Sequence, residues 1–178
     1  SRFCLSDDVI IYSGGCAQNT VFNHLLLEKF PRLIIPPHAY DGGQSFGCVE
    51  FLRRYLDLPE LSVSRFPFAQ DDERISQASS GTISTVAKLL AEGCIVGWMD
   101  GHGEIGPRAL GHRSILFNPR SPRAKEMLNA KVKYREDWRP YAASVLAEYA
   151  KDWFEIDRPS PYMLESVLVK LDKREQIP

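Results

Sequence analysis

The sequence predicts an α/β fold, with α+β character in its second part, and two observations carry that expectation. Short β-branched runs alternate with segments of helical periodicity: Val9-Ile10-Ile11-Tyr12, a Gly14-Gly15 turn, a helix, Leu33-Ile34-Ile35, a loop and a second helix. Strand, tight turn, helix and strand in that order describe a parallel unit with a crossover. The second observation is composition: 44% of the 178 residues are hydrophobic and 25% charged. That is ordinary globular content with enough apolar mass for a core. No apolar run approaches the ~20 residues of a membrane-spanning helix.

Each element has a local reason. Val9 to Tyr12 reads as a buried strand ended by Ser13-Gly14-Gly15. From Thr20 to Lys29, Val21 with Leu25 and Phe22 with Leu26 recur at i,i+4, which predicts a helix with those residues on its apolar face. Pro31 closes it, and Pro36-Pro37 stops the strand that begins at Leu33. A loop from His38 to Gly43 leads to a helix over Ser45–Leu56. Residues 58–80 read as a connector, with Pro59, Pro67, Gln70-Asp71-Asp72-Glu73 and Ser79-Ser80-Gly81. Beyond it Ile83, Val86, Ala87 and Leu90 fit i,i+3,i+4,i+7, and Gly93 suits a helix C-terminal cap. Ile95–Met99 and Ser114–Phe117 are expected strands. Ser121 as cap and Pro122 at the first helical position open a helix to about Val132. Ala142–Leu146 and Val167–Leu171 read as further strands, and Glu148–Phe154 as a short helix.

Cysteine usage gives little chemistry. Cys4, Cys16, Cys48 and Cys94 stand singly, with no CxxC and no histidine at zinc spacing, so they read as reduced, small core residues of a cytoplasmic protein. The opening Ser1 to Asp8 is too short and too acidic for a signal peptide. It and the closing Ile177-Pro178 read as edges of a piece cut from a longer protein. Charge is more informative. Between Gly106 and Arg139 lie nine of the 22 basic residues and three of the 23 acidic ones, a local +6 in a chain whose total is −1.

Two segments within that stretch point to anion chemistry. In Gly101-His102-Gly103-Glu104-Ile105-Gly106-Pro107-Arg108-Ala109-Leu110-Gly111-His112-Arg113-Ser114, glycines let backbone N–H groups approach a ligand, and the arginines offer planar forks for phosphate or carboxylate oxygens. Neither GxxxxGK[ST] nor a GxGxxG between strand and helix is present. A plain glycine-rich turn with surface arginines fits the same pattern. In Asn129-Ala130-Lys131-Val132-Lys133-Tyr134-Arg135-Glu136-Asp137-Trp138-Arg139-Pro140-Tyr141, Lys131 suits a helix C-terminus. Lys133, Arg135 and Arg139 share parity, which on a β-like segment puts three cations on one face. Glu136, Asp137 or an anionic ligand must then neutralise them.

These residues carry a resemblance. Gly106-Pro107-Arg108-Ala109-Leu110-Gly111-His112-Arg113-Ser114-Ile115-Leu116, then Asn118-Pro119-Arg120, Asn129, Lys133, Arg135-Glu136, Arg139-Pro140 and Ser160-Pro161-Tyr162-Met163-Leu164 are similar to the nodulation-protein and antibiotic-tailoring O-carbamoyltransferases. The likeness covers essentially the whole chain. It implies the tail of an actin-like ATPase-fold module over 1–57, the connector 58–80, and a truncated YrdC-like α/β domain with a twisted mixed sheet over 81–178. It implies ATP and carbamoyl phosphate as substrates, joined as carbamoyl-adenylate, and transfer of the carbamoyl group to a hydroxyl-bearing small molecule. Arg108, Lys133 and Arg139 then match the catalytic cations. Gly14, Gly15, Asn19, Glu104, Gly106, Arg113, Ser114 and Arg135 match nucleotide- and phosphate-binding positions.

Asp41, in His38-Ala39-Tyr40-Asp41-Gly42-Gly43-Gln44-Ser45, matches a ligand to a divalent iron or magnesium ion. The other ligands would lie upstream, so this chain is not expected to hold the metal alone. Gly14-Gly15 remains open between a nucleotide turn and an ordinary strand-to-helix turn. His24 and His38 read as structural or surface residues. The expected partners are the rest of the same polypeptide and the small-molecule substrates, with no membrane. A basic RNA-binding module and a non-catalytic remnant are the competing classes, and nucleic acid is the less favoured partner.

Overall fold

A computed structural model of the chain describes residues 5, 7–60, 67–68 and 77–177. Mixed helix and strand is what it shows, in agreement with the α/β class. The described residues form two compact units that interleave along the chain. The first takes those of Ser1–Asp72 together with His102–Leu110 and Ser160–Ser166. The second takes those of Glu73–Gly101 with Gly111–Pro159 and Val167–Pro178. The sequence division into 1–57, 58–80 and 81–178 follows chain order; the compact units follow contact. Much of the connector, 61–66 and 69–76, lies outside the described residues.

In the first unit, β1 (Ile10–Ile11) pairs in parallel with β2 (Leu33–Ile34), Ile10 opposite Leu33 and Ile11 opposite Ile34. Tyr12 N–H extends the ladder to the Ile34 carbonyl at 2.9 Å. A 3-10 turn, Gly15–Gln18, leads into α1 (Thr20–Lys29), whose N-cap is Asn19. Its Oδ1 accepts from Phe22 N–H at 3.1 Å, satisfying one of the donors a helix start leaves over. The predicted boundaries of α1 hold; its predicted inner face does not. Val21, Phe22 and Leu25 are exposed, whereas Asn23 is fully buried and Leu26, Leu27 and Phe30 are partly buried. Those four positions are i, i+3, i+4 and i+7, so the helix turns a stripe inward that begins with a polar residue.

After the 3-10 turn Asp41–Gly43 comes α2 (Gln44–Tyr55). On α2 the Glu50 carboxylate accepts from Arg53 and Arg54 at 2.7 Å. Those hydrogen bonds bring its pKa down to about 2. The buried apolar residues of this unit are small or few: Ala17, Leu33, Ala39, Leu164 and Pro67.

The second unit opens with α3 (Ser80–Ala91), capped by Ser79, whose Oγ accepts from Thr82 N–H at 3.2 Å. Gly93, at φ +84°, follows it as the left-handed residue that ends the helix. β3 (Val96–Met99) and β4 (Arg113–Leu116) run antiparallel, Val96 opposite Leu116 and Met99 opposite Arg113. Among the described residues the parallel and antiparallel pairs form two separate two-stranded sheets.

The helix expected over 121–132 divides. α4 (Ala124–Leu128) is followed by a π turn, Asn129–Lys133, and then Tyr134 in the left-handed region at φ +47°. Arg123 stands at the N-cap, so Ser121 contributes its carbonyl, to Ala124 N–H at 2.9 Å, and not its hydroxyl. Ala142–Leu146 has no strand partner among the described residues. α5 (Ala150–Trp153) follows the 3-10 turn Ala147–Tyr149. Of the strand expected at 167–171, an isolated antiparallel bridge between Phe154 and Val169 forms, and the 3-10 turn Leu171–Lys173 follows. Cys16, Cys48 and Cys94 are free and exposed, which corrects the reading of them as core residues. No helix among the described residues is long and apolar enough to cross a membrane.

Candidate functional site

The glycine-rich loop 102–110 is tied into the first unit through Ile105 and Arg108 and braced internally by Glu104. Ile105 N–H donates to the Pro67 carbonyl at 2.9 Å, and Glu104 Oε1 accepts from Leu110 N–H at 2.8 Å. Gly106 has φ +117°, and a Cβ there would stand 2.9 Å from the Pro37 carbonyl oxygen. Both the dihedral and that close approach demand glycine. Arg108, half-buried, donates from Nη2 to the Gln18 carbonyl at 2.9 Å.

Arg108 is therefore tied to the 3-10 turn that begins at Gly15. Gly14 is that turn's N-cap, at φ 99°. Open space surrounds the positions where both glycines would carry a Cβ. Asn19, the remaining predicted residue of the turn, spends its side-chain oxygen capping α1.

The Ser160–Leu164 segment meets the same turn through a residue that sequence reasoning passed over. Asn23 Nδ2 donates to the Ala17 carbonyl at 2.8 Å and to the Leu164 carbonyl at 2.7 Å. Ser166 N–H reaches the Thr20 carbonyl at 3.2 Å, and His24 Nδ1 lies 3.1 Å from Glu165 Oε1. An amide side chain inside the apolar run Val21–Leu27 was the available signal, since a buried polar group must find partners. His24 and His38 fit the structural reading: half-buried His38 packs on Phe46 with ring centroids 5.6 Å apart, and burial lowers its pKa.

The remaining cations lie in the second unit. Arg113, exposed, opens β4 opposite Met99, and Ser114 Oγ accepts from Gly111 N–H at 3.1 Å. Adjacent strand residues face opposite sides, so these two cannot grip one ligand from one face. Lys133 ends the π turn, exposed, and no carboxylate pairs with it among the described residues. Arg135 lies over the Tyr141 ring at 4.1 Å from the centroid and donates to the Pro140 carbonyl at 2.9 Å. Arg139 pairs with Glu136 at 3.7 Å. The shared face expected of Lys133, Arg135 and Arg139 is not formed. The segment is not β-like: the π turn and the left-handed Tyr134 break the alternation that a common parity requires. Tyr134 and Trp138 are 80% and 77% exposed.

Asp41 is exposed at the start of its 3-10 turn. Among the described residues no three His, Cys, Asp or Glu side chains form a group able to hold a metal ion. One carboxylate is not a metal site. A separate concavity of about 490 Å³ in the second unit is lined by Ser79, Thr82, Val86, Val96, Trp98 and Asp100 among others, and includes none of the predicted site residues.

Residues 87–178 match the family model described as Carbamoyltransferase C-terminus. Nodulation protein U of Rhizobium fredii is 36% identical over 173 residues, covering 93% of this chain and 30% of its own length. Nodulation protein NolNO of Sinorhizobium fredii is 34% identical over 187 residues, 91% of this chain and 27% of its own. The 3'-hydroxymethylcephem-O-carbamoyltransferase of Streptomyces clavuligerus is 32% identical over 161 residues, 85% and 31%. The chain spans under a third of the length of these curated relatives.

Proposed function

The chain belongs to the carbamoyltransferase C-terminus family, and from that premise we propose that it acts within a longer ATP-dependent O-carbamoyltransferase. One observation carries the reading beyond the family: the exposed ammonium of Lys133, without a carboxylate partner among the described residues, in a segment of net positive charge. The donor is carbamoyl phosphate and the acceptor a hydroxyl of a small molecule. In balance, the donor takes up water and releases phosphate. The carbamate oxygen then attacks the α-phosphorus of ATP, pyrophosphate leaves, and carbamoyl-adenylate forms. The acceptor hydroxyl attacks its carbonyl carbon and AMP leaves.

Two polyanions must meet in the adenylation step, so fixed cations are needed to offset repulsion and to stabilise charge on the leaving pyrophosphate. In the second unit Lys133 suits a point charge on a transferring or leaving oxygen and Arg139 suits bidentate grip; in the first, Arg108 offers a fork of its own. Glu136 holds Arg139 loosely enough for an incoming phosphate to compete, since exposed pairs of this kind contribute about 0–1 kcal/mol. The glycine turn at Gly14-Gly15, Gly106 and Glu104 supply backbone and loop geometry around Arg108.

Lys133 gives the test. In the full-length protein, Lys133→Gln should change stability by no more than about 0.3–1 kcal/mol, the value of a cation at a helix end. It should lower carbamoyl-phosphate-dependent pyrophosphate release by about 10²–10³-fold. Lys133→Arg should also lose much of the rate, because a fork does not replace a compact ammonium. Retained rate in both variants rejects the role. Exposed Tyr134 and Trp138 beside these cations favour one second reading, single-stranded RNA binding. That reading requires RNA affinity falling steeply with salt and no pyrophosphate release.

A further inference from the structure

The segment that carries Lys133, Arg135 and Arg139 has little apolar burial to hold it. Lys131 to Tyr134 and Glu136 to Pro140 are exposed, and buried Leu128 lies just before it. One buried side chain joins its two ends. Asn129 is 6% exposed, and both ends of its amide are engaged. Nδ2 donates to Asp137 Oδ1 at 2.8 Å, and Oδ1 accepts from the Tyr141 hydroxyl at 2.6 Å. Because an ionised carboxylate only accepts, the amide orientation is fixed by its partners. The Asn129 carbonyl also accepts from Tyr134 N–H at 2.8 Å, closing the π turn.

Asn129 thus ties the start of the cationic segment to two points near its far end, eight and twelve residues on. Tyr141 in turn supports Arg135 through its ring and Asn129 through its hydroxyl. π turns of this kind are costly interruptions of a helix and collect at functional sites.

We infer that Asn129, with Tyr141 and Asp137, is a positioning residue that sets the backbone path presenting Lys133 and Arg139 to their anionic substrate. The inference rests on the function proposed above. Asn129 touches no substrate in this role. It acts through the turn, so a displaced cation rather than a lost one is the consequence of changing it. Asp137 is committed to the tie, and Glu136 is the carboxylate left to pair with Arg139.

The experiment uses the full-length protein and compares Asn129→Asp, Tyr141→Phe and the double variant Asn129→Asp with Asp137→Asn. Asn129→Asp sets two carboxylates against each other and opens the tie. The double variant restores it with roles exchanged: the amide, moved to position 137, donates to the carboxylate moved to position 129, and the Tyr141 hydroxyl still donates to that carboxylate. Pyrophosphate release from ATP with carbamoyl phosphate is measured well below each variant's melting temperature. A fall in kcat/KM of about 10-fold or more is expected for Asn129→Asp, the scale of a small misplacement of catalytic groups. A smaller fall is expected for Tyr141→Phe, which keeps the ring under Arg135, and recovery of most of the rate in the double variant. A lowered melting temperature with kcat and KM unchanged would make Asn129 purely structural and overturn the inference. So would a double variant that regains stability but not rate. Should Asn129→Asp fail to fold, Tyr141→Phe decides alone, and unaltered kinetics there overturn the inference. Absence of pyrophosphate release from the unsubstituted protein rejects the proposed function itself, and the inference with it.

Discussion

Replacing Asn23 with leucine tests whether one buried amide holds the first unit together. Leucine has nearly the same branched shape, so packing volume is kept and the change is chemical. Two buried carbonyls, of Ala17 and Leu164, lose their donor. Each stranded acceptor costs about 1–3 kcal/mol. Asn23 Oδ1 itself is buried with no donor among the described residues, and removing it returns about 1 kcal/mol or more. The net expectation is a loss of about 1–5 kcal/mol, read as a shift in urea midpoint at unchanged slope. Hydrogen exchange at the α1 amides should quicken in parallel. Asn23→Asp separates the donor from the volume: it keeps an acceptor, loses the donor and buries a charge. It should cost more than leucine, by the ~3–5 kcal/mol scale of an uncompensated buried charge. A leucine variant within about 0.5 kcal/mol of the parent, or an aspartate variant as stable as leucine, would refute the reasoning.

Two further outcomes follow from geometry already described. Gly106→Ala should destabilise the protein by about 1–3 kcal/mol, as expected for a non-glycine residue forced to a strained dihedral, because its Cβ meets the Pro37 backbone oxygen, which cannot move cheaply; a thermal scan measures it. Glu50 is held at a pKa of about 2 by Arg53 and Arg54, below its ordinary 4.5. A depressed carboxyl contributes stability above its unfolded pKa and loses it as pH falls through the folded one. Stability should therefore decline between about pH 4.5 and 2 in the parent, and Glu50→Gln should flatten that limb in acid-unfolding curves.

Helices with strong local signals were legible residue by residue. α1 was bounded by its i,i+4 apolar pairs and by Pro31, and α3 by the spacing of Ile83, Val86, Ala87 and Leu90 with Gly93 after it. What failed was anything decided by tertiary contact. The inward stripe of α1 escaped because it starts at Asn23, and a pattern built on apolar spacing discards a polar residue one of whose two partners lies 141 positions away. Ala142–Leu146 has the composition of a strand, but β-propensity reports fit to a neighbour, and no neighbour among the described residues takes it up. At the site, the cation-rich segment was visible from charge alone. Its path was not, because a π turn and a left-handed tyrosine have no sequence signature and remove the parity on which a common face depended. The tie between Arg108 and the Gln18 carbonyl was equally unreadable, since a backbone acceptor looks the same at every position.

The clasp between α1 and residues 160–166 also has a consequence in time. Asn23 leaves the ribosome long before Leu164, 141 residues behind it. At about 5–20 residues per second that gap lasts roughly 7–30 s. During it the Asn23 amide has only the Ala17 carbonyl to bond, and neither the Glu165 carboxylate nor the Ser166 amide has yet been made. The first unit is thus the earlier to emerge, yet it cannot close until residues 160–166 arrive, by which point most of the second unit has been synthesised. A nascent chain stalled ahead of residue 160 would hold α1 unfastened, so protease sensitivity of that helix is a clock for the arrival of residues 160–166.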